Sequence, residues 1–135
     1  RGEKTFNATD VDARRVVETL AMQAVIEHER LQGYEPRDVS KQNLGWDIES
    51  MTNDGTLRLI EVKGRHHEAT TVTVTRNEIM ACLNKPELFI VALVIVKDGV
   101  AGRPKYIRHF IKQEPDWAVA SINYDLRDLV KAMES

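Results

Sequence analysis

An internal disulfide is excluded at the outset: the 135 residues contain one cysteine, Cys82, which has no partner in the chain. It lies in the apolar stretch "EIMACL" and reads as a small core hydrophobe, in keeping with a reducing compartment. No run approaches the roughly 20 apolar residues that span a bilayer, and the N-terminus lacks the basic-then-apolar design of a signal peptide. The expectation is a soluble, cytoplasmic protein with no membrane partner, nucleoid-associated in a bacterial or archaeal cell. Excess charge of one sign is missing too. A net charge of -2 and a pI near 6.1 exclude a global basic field that would hold nucleic acid regardless of sequence. A local basic site remains, most clearly in "KGRHH", Lys63 to His67. Internal repeats, low-complexity tracts and linkers are absent, so one domain of ordinary size is expected. The start at Arg1 instead of methionine points to a piece of a longer polypeptide.

The patterns that are present begin with a helix. From Thr9 to Leu31 the residues Val16, Val17, Leu20, Ala21, Ala24, Val25 and Leu31 recur at helical spacing, and Gly33 is placed to end it. "YEPRDVS" reads as an extended segment that Pro36 confines to an edge or a strand entry. Residues 45–51 and 57–63 read as two strands of a hairpin around "TNDG", whose residues supply the turn conformations. "TTVTVT", residues 70–75, alternates β-branched side chains and predicts a third strand of the same sheet. Thr75 then opens a second helix with Glu78 three residues on, a capping-box pattern. "LFIVALVIV", residues 88–96, is apolar without alternation and predicts a central strand covered on both faces. "KDGVAGRP" reads as a loop, "KYIRHFI" as another strand, and "YDLRDLVKAM" as a terminal helix. The fold class is α/β, or α+β, with a mixed sheet and helices on its faces.

Three charges stand out on the hairpin. Alternation puts Glu61 and Lys63 on one face of their strand, with Ile60 and Val62 on the other, and the turn brings Asp47 alongside Glu61. Two carboxylates on adjacent strands form a ready site for Mg²⁺ or Mn²⁺. A lysine beside them can hold an attacking water or developing negative charge. These are the parts of a metal-dependent phosphodiester hydrolase, although solvent-facing strand charges would give the same pattern.

The succession "LGWDIES", "RLIEVKGR" and "TVTVTRNEI" resembles the domain found at the C-terminus of the plant protein NO VEIN and appended to many bacterial and archaeal helicases. That domain is a branch of the PD-(D/E)XK nuclease superfamily. The similarity runs from about Val16 to Val96. It implies a restriction-endonuclease-like fold, a four-stranded mixed sheet flanked by helices, with the active site at the sheet's split edge. It also implies that Asp47 is the first acid, Glu61 the second and Lys63 the catalytic lysine, with the Val62 carbonyl as a further metal ligand. Trp46 stands where the motif has proline, which supplies no ligand. The superfamily often adds an acid from the first helix. Glu18, Met22, Val25 and Glu29 share a stripe there, making Glu29 the first candidate, then Glu18 and Glu27.

Thr75 and Glu78 match the family's recurrent threonine and glutamate, and the capping box gives them a structural or supporting role. Arg65, Arg76 and His66 are candidates for contacts to a nucleic-acid backbone. Trp46 and Trp117 could stack on bases or pack in the core. His66 and His67 are adjacent and cannot both serve one metal. The function this implies is a Mg²⁺- or Mn²⁺-dependent nuclease acting on DNA, with RNA as the alternative substrate. It would belong to a helicase-type or restriction and defence protein whose motor supplies most of the affinity. The alternatives are a non-catalytic DNA-sensing or protein-interaction module with the same fold, and a purely structural domain whose charges form a buried network.

Overall fold

The computed structural model describes residues 8–111, 114–116 and 118–134. Helix α1, Ala8–Leu31, leads into β1, Glu35–Asp38, and a single 3-10 turn at Ser40–Gln42. The hairpin follows as β2, Ile48–Met51, and β3, Leu57–His66. Then come β4, Thr71–Thr75, helix α2, Arg76–Asn84, and β5, Phe89–Lys97. The short strands β6, Val100–Ala101, and β7, Lys105–Ile107, precede β8, Ser121–Asp125, and helix α3, Leu126–Glu134.

The main sheet has the order β1-β2-β3-β5-β6, and β7 also pairs with β5. Among the described residues only β3 and β5 run parallel, from Leu59 opposite Phe89 to His66 opposite Val96, and the connection between them carries α2. The other pairings are antiparallel, which makes the sheet mixed and the fold α+β. Alternation divides the core. Ile60, Ile90, Ala92 and Val94 pack against Ala21 and Val25 of α1, while Phe89, Val91 and Leu93 pack with Ile79 and Cys82 of α2 and Leu126 and Leu129 of α3. This double coverage is why β5 carries no polar face. Pro36 lies on the edge strand β1, where a missing N–H breaks no ladder.

Three expectations change. The strand at Thr71–Thr75 does not join the main sheet, and pairs instead with Ser121–Asp125 in a separate two-stranded sheet. Its alternation is as read, with Val72 and Val74 buried and the threonines exposed, but a partner 50 residues later in the chain takes its edge, Thr73 lying opposite Asn123. Residues 121–125 are accordingly a strand, and the last helix begins only at Leu126. The segment after β5 also turns back as the two-residue strand β6 and is not wholly a loop.

Candidate active site

Two glycines bring the site together. Gly45 has φ +101°, a left-handed value that a side chain resists, and a Cβ there would lie 2.9 Å from the Ala81 Cβ and 3.1 Å from the Asn77 carbonyl. The chain entering β2 is thereby pressed onto α2, which carries Glu78. Gly64 in β3 is needed for space: an added Cβ would stand 2.6 Å from the Ala21 Cβ and 3.1 Å from the Val17 carbonyl. α1 therefore closes directly on the strand that carries Glu61 and Lys63.

The pairing of β2 with β3 ends at Ile48 opposite Ile60, while β3 runs on to His66. Asp47 stands at this parting. Its N–H donates to the Ile60 carbonyl at 2.9 Å, and its Oδ2 accepts the Val62 N–H at 2.9 Å. The Val62 main chain thus faces Asp47 on the edge that β2 has left.

Glu61 is 5% exposed. Lys63 Nζ lies 3.3 Å from Glu61 Oε2 and 2.8 Å from Glu78 Oε1. The same Glu78 oxygen accepts the Thr75 N–H at 2.9 Å, while the Thr75 hydroxyl oxygen accepts the Glu78 N–H at 3.3 Å, which completes the capping box. One carboxylate oxygen therefore caps a helix and holds the lysine.

Burial raises the Asp47 carboxyl above its ordinary value, with the Val62 N–H working against the shift and the Glu78 charge adding to it. Burial also drives Glu61 well above the usual carboxylate range, assisted by the charge of Asp47 and by a hydrogen bond in which the Glu61 carboxyl donates to Glu78. For Glu78 burial again pushes upward, but hydrogen bonds from Glu61 and Lys63 outweigh it and the net shift is down. Burial disfavours the Lys63 ammonium, yet Glu61 and Glu78 more than compensate and keep it charged. The cluster is thus a set of crowded carboxyl groups sharing a proton beside one ammonium.

These groups line a cavity of about 540 Å³ between α1, β3 and β4. Arg14, Glu18 and Met22, one helical stripe, form its α1 wall, and Thr73 lines the β4 side. Among the described residues no three His, Cys, Asp or Glu side chains are grouped so as to hold a metal ion. The donors that Asp47, Glu61 and the Val62 carbonyl would offer are hard oxygens, the kind that Mg²⁺ and Mn²⁺ prefer. A bound cation would favour the ionised form of Glu61, against the burial that raises its carboxyl.

A family model described as Protein NO VEIN, C-terminal, matches residues 17–107. The chain belongs to that family. The segment shared with the NO VEIN C-terminal family carries Glu18, Asp47, Glu61, Lys63 and Glu78, and leaves Arg14, β8 and α3 outside it. No curated protein matches the chain.

The structure brings Asp47, Glu61, Val62, Lys63, Glu78 and Arg65 to one cavity, but not Glu29. Glu29 is fully buried and accepts two hydrogen bonds from Arg58, at 2.8 and 3.0 Å, on the α1 side of the sheet. Of the acids on α1 it is Glu18 that lines the cavity, and Glu27 lies in a groove at the C-terminal end of the helix. Glu18 and Glu29 share a face of α1 but stand about 16 Å apart along its axis, so the two ends of the stripe reach different surroundings. Arg76 is occupied elsewhere, donating to the Asp116 and Val119 carbonyls. Trp46 donates to Glu49 at 3.0 Å and packs on the core, and Trp117 lies outside the described residues. His66 ends β3 and His67 begins the turn after it, donating its N–H to the Val96 carbonyl at 3.0 Å. Arg14 was absent from the sequence reading, and extending the Glu18–Met22 stripe one turn back would have found it.

Proposed function

We propose that the chain is a divalent-metal-dependent nuclease domain of the PD-(D/E)XK, restriction-endonuclease-like kind, hydrolysing DNA phosphodiester bonds as the C-terminal part of a helicase-type or defence protein. The observation that carries this reading is the meeting of Asp47, Glu61 and Lys63 at the point where β2 parts from β3. Asp47, Glu61 and the Val62 carbonyl would hold Mg²⁺ or Mn²⁺, which when bound supplies charge neutralisation and a more acidic water. Lys63 keeps a positive charge in a half-buried place, where it steadies negative charge on a phosphate oxygen more than it could in water. Glu78 fixes the direction of that ammonium group. Arg65, on the same cavity wall, offers a guanidinium to the strand's phosphates.

A second reading has its own observation. Lys63 is already paired with both Glu61 and Glu78, as a lysine in a purely structural network would be. On that reading the domain is non-catalytic: a purely structural domain, or a DNA-sensing or protein-interaction module with the same fold. The two part on Lys63→Ala. In a nuclease the variant keeps its fold and Mn²⁺ binding, and cleavage of labelled single- or double-stranded DNA falls by about 10²–10³. In a structural network it leaves buried carboxyls uncompensated and lowers stability by roughly 3–5 kcal/mol, and the wild type cuts nothing with any metal. Thermal melting, Mn²⁺ titration and the cleavage assay on both chains decide between them.

A further inference from the structure

A smaller cavity of about 220 Å³ opens beside the first and shares Arg14, Gly64 and Arg65 with it. Its other lining is Ala13 and Val17 of α1, His66 at the end of β3 and Ala69 in the following turn. Asp47, Glu61 and Glu78 line the first cavity only, so the side chains change from acidic to basic and apolar across the shared wall.

Arg65 is the fixed cation of that wall. It is half-buried, and its Nε donates to the Thr71 carbonyl at 2.9 Å. Among the described residues no carboxylate pairs with it, whereas Arg58, Lys63 and Arg76 all have acids, and Arg14 keeps partners of its own. With its Nε on the Thr71 carbonyl, the remaining N–H groups of this guanidinium form the planar fork that suits a phosphate. Three small apolar side chains and an imidazole lie beside it. The His66 Nδ1 accepts the Glu68 N–H at 3.2 Å, which assigns the proton of the neutral ring to Nε2. The volume is below the roughly 300 Å³ at which sites for drug-sized ligands begin, so it suits one sugar and base and not a longer piece.

We propose that this cavity is a nucleotide subsite. It takes the nucleotide adjacent to the scissile phosphate, with a phosphate oxygen on Arg65 and the sugar and base against Ala13, Val17, Ala69 and His66. The subsite rests on the phosphodiester reading of the neighbouring cavity, and it narrows the substrate to a strand that carries a further phosphate one nucleotide beyond the bond that is cut.

The test is equilibrium binding of deoxyadenosine monophosphate and of inorganic phosphate to the wild type, Arg65→Ala, Ala13→Trp and Arg103→Ala. Arg103 lies in the grooves by the C-terminal end of α1 and serves as the control. Arg65→Ala should weaken both ligands by about tenfold or more. Ala13→Trp, an exposed helical position where a large side chain leaves the fold intact, should fill the apolar half and weaken the nucleotide alone. Absence of nucleotide binding to the wild type, equal binding to all four chains, or equal loss of both ligands in Ala13→Trp would overturn the subsite. DNA cleavage is read separately. A chain that binds in the expected pattern and never cuts DNA keeps a nucleotide-binding cavity and loses the nuclease reading together with the place beside a scissile phosphate, and one that cuts equally well as Ala13→Trp keeps the nuclease and loses the subsite.

Discussion

Glu61 holds its proton to higher pH than an exposed glutamate, because burial, the Asp47 charge and the bond to Glu78 all favour the neutral form. Between the ordinary glutamate value and this raised one the folded chain binds more protons than the unfolded chain. Stability from this group is therefore fully present in acid and is lost as pH rises through the folded value. Glu78, whose folded value is depressed, acts in the opposite sense and only in acid, below the usual glutamate range. Glu61→Gln removes the rising-pH penalty while keeping a donor for Glu78. Metal-free Glu61→Gln should melt above the wild type at neutral and mildly alkaline pH, with the gap closing as pH falls. Each kcal/mol regained is worth roughly 3–6 °C. Melting curves across pH check this, and a wild type whose Tm rises from acid to neutral pH as much as the variant's would refute it. Asp47, Glu61 and Lys63 were legible as a trio because a period of two and one turn place them. The second duty of Glu78 was not, since a capping box already accounts for a glutamate at that position.

At the scale of elements, the site depends on how closely α1 approaches β3. Gly64→Ala puts a methyl group 2.6 Å from Ala21, a contact that packed atoms do not tolerate, so helix and strand have to separate. The expected cost is about 1–3 kcal/mol. Because Arg14 and Glu18 ride on the same helix, the displacement should also disturb the cavity wall. Urea denaturation gives the first quantity, and Mn²⁺ and nucleotide titrations give the second. Unchanged stability in Gly64→Ala would show that the close approach is not rigid. The helices and the hairpin could be read from local signals: helical spacing for α1, "TNDG" for β2 and β3, and Thr75 with Glu78 for α2. The partner of β4 could not, because an exposed threonine edge is equally able to pair with any strand the chain returns to it, and β8 is short and runs directly into the amphipathic pattern of α3.

At the scale of the whole molecule, the buried charged groups among the described residues form two separate clusters on opposite faces of the main sheet. One is the site around Glu61 and Lys63. The other is Glu29 with Arg58, whose guanidinium lies 5.3 Å from the Tyr34 ring centre and 5.2 Å from that of Tyr106. Burial raises the Tyr106 hydroxyl, with a hydrogen bond to Glu29 and its charge adding to the effect, so that phenol stays neutral beside the pair. Glu29→Ala should leave Arg58 uncompensated and cost roughly 3 kcal/mol, somewhat less than for a fully buried partner because Arg58 retains 17% side-chain exposure. Mn²⁺ binding and any cleavage should be unaffected once the loss of stability is allowed for. A Mn²⁺ affinity that collapses with Glu29→Ala while the fold persists would return Glu29 to the site. The sequence by itself determined the α1 helix, the hairpin, the doubly covered β5 and the trio Asp47, Glu61 and Lys63, since each follows from the periodicity or turn chemistry of a short stretch. Only the tertiary structure decided that Glu18 and not Glu29 meets that trio, that β4 and β8 form their own sheet, and that Arg65 stands between two cavities. Those outcomes depend on the angle and distance at which α1 crosses β3 and on pairings between distant segments, and no local period encodes either.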